Sequence, residues 1–141
     1  MKLMMDFIKT FTNKNIGKIM KYKNRYYLVS EQVEICLKNI KLPATGIGLF
    51  LGSIKHNRFV PSLALLYLLS KISDRKTIVN KKQEWFFTNG KDLIVKGKTN
   101  VKEDLVLVQN KFDENIGLGM IQKRSIKNII DVGDYLRREM F

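Results

Sequence analysis

The sequence predicts an α+β protein made of two small units, the first helix-rich and the second strand-rich. Three observations carry this. Up to residue 71, apolar residues recur at helical spacing in three segments, with strand-like pieces between them. After Lys71 the texture changes to short β-rich runs (TIVN, DLIV, DLVLVQ, IGLGMI and NIIDV) separated by polar turns. Hydrophobic residues make up 45% of the 141, enough to give each half a packed core. The change of texture sets a boundary near residues 71–75, with units at 1–72 and 73–141.

The first unit is expected to combine antiparallel strands with about three helices. Leu3, Phe7, Ile8 and Phe11 share one helical face, which predicts an amphipathic helix over 2–12. IGKIMKY and RYYLVS, joined through Lys23-Asn24, read as two strands. Ser30 sits where a helix cap belongs, because Glu31 and Glu34 fall in the following turn, where the macrodipole favours acids. Val33, Cys36, Leu37 and Ile40 form the expected buried stripe of that helix, and Pro43 ends it. Residues 45–60 are strand-like with a basic turn in IKHNRF, and residues 61–71 predict a third helix with Pro61 in its first turn.

In the second unit, KKQEWFFTNGKDLIVKG (81–97) supports two incompatible structures. Asn89-Gly90 between apolar runs is a strong signal for a two-residue hairpin turn. Glu84 to Phe87 could equally be a short helix stopped by a left-handed Asn or Gly. Local pattern leaves both open. Trp85, Phe86 and Phe87 could stack on bases, but clustered aromatics in a small domain are expected in its core.

Charge narrows the function. There are 26 Lys and Arg against 13 Asp and Glu, a formal net charge of +13. Residues 1–72 hold twelve basic and three acidic groups, a net +9, and residues 73–141 hold fourteen and ten, a net +4. Self-repulsion of this size is relieved by a polyanion, and nucleic acid is the first choice. A membrane is not expected. The longest apolar run, Leu63 to Leu69, is seven residues, too short to span a bilayer. MKLMMDFIK, with Asp6 and no small-residue cleavage site, does not read as a signal peptide. Cys36 is the one cysteine, so an intramolecular disulfide is excluded and a reducing interior is expected.

Catalytic chemistry is not expected either. GIGLFLG (46–52) has Leu51 where a dinucleotide fingerprint needs its third glycine, and reads instead as a buried strand with close backbone packing. With one histidine and one cysteine no Cys/His metal cluster can form, so neither metal nor cofactor is expected. His56, among Lys55, Asn57 and Arg58, is expected in an exposed turn, and a nucleophilic triad would depend on it. The pairs Glu103-Asp104 and Asp131/Asp134 read as solvated turns and helix starts.

KTIVN (76–80), KKQEWFFTNGKDLIVKG, NIGLGMI and DVGDYLRRE together resemble a PUA domain, the RNA-binding pseudobarrel of pseudouridine synthases and archaeosine transglycosylases. RYYLVSEQV, GIGLFLGSIKHNRF and SLALLYLLSK are similar to the domain that precedes the PUA in the Nip-seven family of large-subunit ribosome biogenesis factors, in an archaeal form. That family usually has a longer first domain with an extra hairpin before the YYLVSE-like strand, where this sequence has only Ile16 to Tyr22. The resemblance implies a PUA-type mixed β pseudobarrel over 73–141, and a non-catalytic protein that acts in large-subunit assembly and ribosomal RNA maturation. The alternatives are a protein-binding adaptor in RNA processing, or an accessory PUA subunit of an RNA-modifying enzyme. Implied partners are pre-ribosomal RNA and other assembly or RNA-processing proteins. A cytoplasmic monomer is expected, nucleolar if the source is a eukaryote.

The resemblance also implies that residues 82–87 are helical, that Asn89-Gly90 closes the helix, and that the Gly90 loop places Lys91 beside an RNA phosphate. If DVGDYLRREM is a helix capped by Asp131, Val132, Tyr135 and Leu136 share its docking face and Arg137 and Arg138 project away. On sequence grounds that pair is equally a solvated surface feature; the resemblance assigns it to RNA. Lys123, Arg124 and Lys127 in QKRSIKN form a second cluster, read equally as a solvated loop or as phosphate contacts.

Overall fold

The computed structural model describes residues 1–39, 46–95 and 104–139; the side chains of Tyr135, Arg138 and Glu139 fall outside that description. Ile40, Pro43 and Glu103, named above, also lie outside the described residues. The chain divides into Met1–Ile72 and Ser73–Phe141.

The first unit runs α1 (Lys2–Phe11), β1 (Lys18–Tyr22), β2 (Arg25–Val29), α2 (Glu31–Asn39), β3 (Leu49–Lys55), β4 (Arg58–Pro61) and α3 (Leu63–Ile72). The strands form an antiparallel sheet in the order β1-β2-β3-β4. Its two hairpins turn through Lys23-Asn24 (φ 50° and 61°) and His56-Asn57 (φ 50° and 60°). Paired left-handed residues match the right-handed twist of the flanking strands. Between β2 and β3, Tyr26 pairs with Gly52 and Tyr27 with Phe50, so Leu51 is an extra residue in a bulge. The bulge lets Leu51 be fully buried while Phe50 packs on Tyr27, ring centroids 5.7 Å apart.

Two expectations for this unit change. Pro61 ends β4 instead of starting the helix, and Ser62 is the cap: the Leu65 N–H donates to Ser62 Oγ at 3.1 Å. Ser62 Oγ in turn donates to the Phe50 carbonyl at 2.7 Å, which anchors the helix start to the sheet. The stripe of α2 is only partly buried. Val33 and Leu37, one turn apart, pack on Tyr27, Val29 and Ile47, while Cys36, on the flank of that line, is exposed. Ser30 does cap α2, accepting from the Val33 N–H at 3.3 Å.

The second unit runs β5 (Lys76–Ile78), α4 (Lys81–Thr88), β6 (Leu93–Ile94), β7 (Asp104–Gln109), β8 (Asn115–Ile121), β9 (Ser125–Asp131) and α5 (Val132–Glu139). Its mixed sheet has the order β5-β7-β8-β9-β6, with β5 parallel to β7 and the other pairs antiparallel. Asp104 is not simply solvated, since it forms an ion pair with Arg75 that helps hold the β5 end against β7. The core collects Val79, Phe87, Leu93, Val106, Val108, Ile116 and Ile126 from most of these elements. The protein is α+β, with an antiparallel sheet and helices followed by a mixed sheet, as expected.

Candidate nucleic-acid interface

Helix α4 settles the ambiguous stretch. Asn80 and Gln83 form a reciprocal capping box: the Gln83 N–H donates to Asn80 Oδ1 at 2.8 Å, and the Asn80 N–H donates to Gln83 Oε1 at 3.0 Å. At the other end the Lys91 N–H donates to the Phe86 carbonyl (3.1 Å) and the Gly90 N–H to the Phe87 carbonyl (3.0 Å). This bond pair is a Schellman stop, and Gly90 takes the left-handed position it requires, at φ 81°. The stretch is therefore helix, stop and short strand.

The aromatic trio does not all enter the core. Phe87 is fully buried and Phe86 packs at the core edge, but Trp85 is 59% exposed. Helical geometry explains this, because residues two apart point about 200° away from each other. Lys91 Nζ lies 5.7 Å from the Trp85 ring centroid and 5.4 Å from that of Phe86. The two rings meet edge-on at 5.3 Å.

The turn that carries Lys91 is held by three hydrogen bonds from two elements, β9 and α5. Asn128 on β9 donates from Nδ2 to the Phe87 carbonyl at 2.7 Å, and its backbone N–H donates to Asp92 Oδ1 at 2.8 Å. Arg137 on α5 donates from Nη1 to the Thr88 carbonyl at 2.7 Å, and its Nη2 lies 3.4 Å from both oxygens of Asp131. Asp131 caps α5 as expected, accepting from the Asp134 N–H at 2.7 Å, yet it is buried, not solvated. Gly133 permits the close approach of α5 to α4, since a Cβ there would sit 1.8 Å from the Thr88 carbonyl oxygen.

The expectation that Arg137 projects from an anchored helix is thus corrected. The free carbonyl at the end of α4 and the buried carboxylate of Asp131 both attract a cation, and Arg137 folds back to serve them. Leu136, expected to dock, is 62% exposed. Val132 does pack on the core. The Arg138 and Tyr135 side chains lie outside the described residues.

The other basic residues expected to touch RNA, Lys123, Arg124 and Lys127, lie along the β6–β9 edge. Leu93 pairs with Ile126 and Ile94 with Ser125, and the Val95 N–H donates to the Arg124 carbonyl at 2.9 Å. Lys123 and Arg124 occupy the tight turn closed by the Gln122 N–H bond to the Ser125 carbonyl, at 2.8 Å. Lys127 lies on strand β9, not in a loop; its neighbour Ile126 faces the core, so Lys127 faces solvent. From the Lys91 turn to Arg124 the edge runs about four residues, or roughly 13 Å. Gly90, Lys91 and Arg137 therefore meet at one end of this edge, Lys123 and Arg124 mark the other, and Lys127 lies between. Trp85 and the 80% exposed Ile94 join them. The signal for Trp85 was its two-residue offset from Phe87. Such a surface can neutralise phosphates along a strand and offers an indole face for a base. No group of potential metal ligands occurs among the described residues, and no described helix is long and apolar enough to cross a membrane.

Comparison with known proteins finds likeness to an RNA-binding class of domain in the second unit. Residues 75–140 match the family model described as the UPF0113 PUA domain, so the second unit is a PUA domain, and that assignment supports RNA binding. Residues 6–69 match the model of the first C-terminal domain of the RsmF rRNA methyltransferase. The crystal structure of a hypothetical protein from the hyperthermophilic archaeon Pyrococcus horikoshii OT3 is similar in fold. It shares 15% identity at a TM-score of 0.52, over 99% of this chain and 93% of that one. No curated protein matches the sequence.

Proposed function

We propose that the protein is a non-catalytic RNA-binding factor of the Nip-seven type, acting in large ribosomal subunit assembly and ribosomal RNA maturation. The observation that carries the reading is the β6–β9 edge of the PUA domain, with its basic residues and, at the α4 stop, Lys91 beside the exposed Trp85. On this reading the edge holds the RNA backbone while Trp85 stacks on a base, and the first unit binds RNA or another assembly protein. Ribosomal RNA as the ligand is supported by the first unit's likeness to a domain of an rRNA methyltransferase. The same likeness favours a second reading, an accessory PUA subunit of an RNA-modifying enzyme. A non-catalytic role fits the sequence, whose single histidine sits in the His56-Asn57 turn. The protein would work in the cytoplasm.

Crosslinking the protein to cellular RNA and mapping the sites tests this. Ribosomal RNA precursors crosslinked at Trp85 and Lys91 are the expected result. Crosslinks confined to another RNA class, or none in the PUA domain, would overturn it. In vitro, Trp85→Ala should weaken binding of single-stranded RNA by about 1–3 kcal/mol, and Trp85→Phe by less.

A further inference from the structure

We infer that the hairpin end of the first unit is a second RNA-backbone site, built around Arg25 between the β1–β2 and β3–β4 turns. The inference rests on the reading of the chain as an RNA binder and adds a site to it. Antiparallel pairing of β2 with β3 brings both turns to the same end of the sheet. Between them lies a cleft of about 260 Å³, lined among others by Lys23, Arg25, Phe50, Ser53 and Lys55.

Register places the cations on one face. Arg25, Ser53 and Val60 are directly paired across three strands, and Lys55 and Arg58 are paired two residues further on. Residues two apart on a strand share a face, so Arg25, Lys55 and Arg58 do too. The opposite face is taken by α1, through the Phe7–Phe59 ring contact at 5.3 Å. The Leu51 bulge turns Phe50 toward Arg25, whose guanidinium carbon lies 5.1 Å from the ring centroid. A guanidinium placed over an aromatic ring keeps N–H donors available for a phosphate.

Among the described residues these charges meet no carboxylate: neither Lys23, Arg25, Lys55 nor Arg58 has an ion-pair partner there. Lys55 and Arg58 face each other directly, a like-charge pairing that destabilises a sheet. The unit's acids lie elsewhere, Asp6 on α1 and Glu31 and Glu34 on α2. Glu34 is bonded to Lys18, whose ammonium holds that carboxyl below the usual carboxylate range. The β1–β2 turn also places Lys23 in a left-handed conformation, where Asn or Gly would be less strained. A cationic face with no ion pair among the described residues, and with an arginine over an aromatic ring, fits a polyanion backbone better than an apolar protein surface.

The test uses the full chain and a fluorescently labelled single-stranded RNA of mixed sequence, titrated over a range of salt. The variant Lys23→Gln, Arg25→Gln, Lys55→Gln should reduce the slope of log affinity against log salt by about 2, at roughly 0.7 per lost phosphate contact. Lys23→Arg, Arg25→Lys, Lys55→Arg should recover most of the slope, which separates lost charge from a misfolded hairpin. A control, Lys2→Gln, Lys9→Gln, Lys14→Gln, removes the same charge elsewhere in the unit and should change the slope little. If the control lowers the slope as much as the hairpin variant, the effect is general electrostatics and no site exists there. If the hairpin variant keeps the parent's slope, the inference fails while the PUA reading stands; the same variant losing an acidic protein partner would then mark a protein-docking face. If the parent itself shows no salt-dependent RNA binding, the proposed function fails with it.

Discussion

At Arg137 one guanidinium serves two acceptors, the Thr88 carbonyl and an Asp131 carboxylate whose side chain is only 4% exposed. Arg137→Ala strips that buried carboxylate of its cation. Arg137 itself is 43% exposed, so solvent softens the loss, and about 1–2 kcal/mol is expected. A lower urea midpoint with an unchanged m-value would show it. Arg137→Lys keeps the charge without the fork and should recover part. In the sequence Arg137 and Arg138 read alike, as surface cations whose removal would shift stability by no more than about 0.5 kcal/mol each. Nothing local could show otherwise, because Thr88 lies 49 positions away. The adjoining glycines should rank clearly. Gly90→Ala should cost about 1 kcal/mol for its left-handed backbone. Gly133→Ala should cost more, roughly 2–3 kcal/mol, because its methyl would collide with a carbonyl. Thermal melts of the pair test the order.

Helix α4 shows what an element's sequence does and does not specify. Asn89-Gly90 suits a hairpin turn and a Schellman stop equally, since both need a left-handed glycine. The decision comes from farther off: Asn80 and Gln83 cap the helix start, and the helix carries Phe87 into the core. Asn80→Ala should therefore cost about 1 kcal/mol, seen as a fall of roughly 4–8 °C in melting temperature for a domain this small. Elements whose periodicity was strong, such as α1, the two hairpins, β7 and β8, were legible from the residues alone. What was not legible was partnership. Trp85 and Phe87 have the same chemistry, and only the sheet's position decides which is buried. Likewise Pro61 suits a strand end as well as a helix start, and the hydroxyl of Ser62 decides between them.

At the scale of the whole chain, each of the two units has buried apolar residues of its own. The fragment 73–141 holds its own hydrophobic cluster and should express as a folded domain with one cooperative unfolding transition. Loss of dispersed amide resonances in that fragment would contradict it. Limited proteolysis is a poorer test. Ser70 and Ser73 are buried, and only three residues separate α3 from β5, so protease should spare residues 70–75. The charge division adds a comparison. The second unit carries a net +4 of the total +13, so its RNA affinity should depend less steeply on salt than that of the full chain. Fold class and the identity of the PUA unit were legible from the ordered runs of sequence; the face on which the cations gather follows from strand register, which those runs do not encode one by one.

The clasp between Thr88 and Arg137 gives the Lys91 turn a history as well as a shape. The β7, β8 and β9 strands are sequence neighbours and can zip up through short loops, whereas the clasp must wait until two segments 49 residues apart have met. In the native state the same separation works in reverse. A transient detachment of α5 would free the Thr88 carbonyl and remove one of the supports of the adjoining stop, without disturbing the central strands. The amides of Gly90 and Lys91 should then exchange with solvent hydrogen at the same rate as those of α5, and faster than those of β7. RNA seated on Lys91 would slow exchange in α5 even where no nucleotide touches it, so the helix becomes a remote gauge of occupancy at the turn.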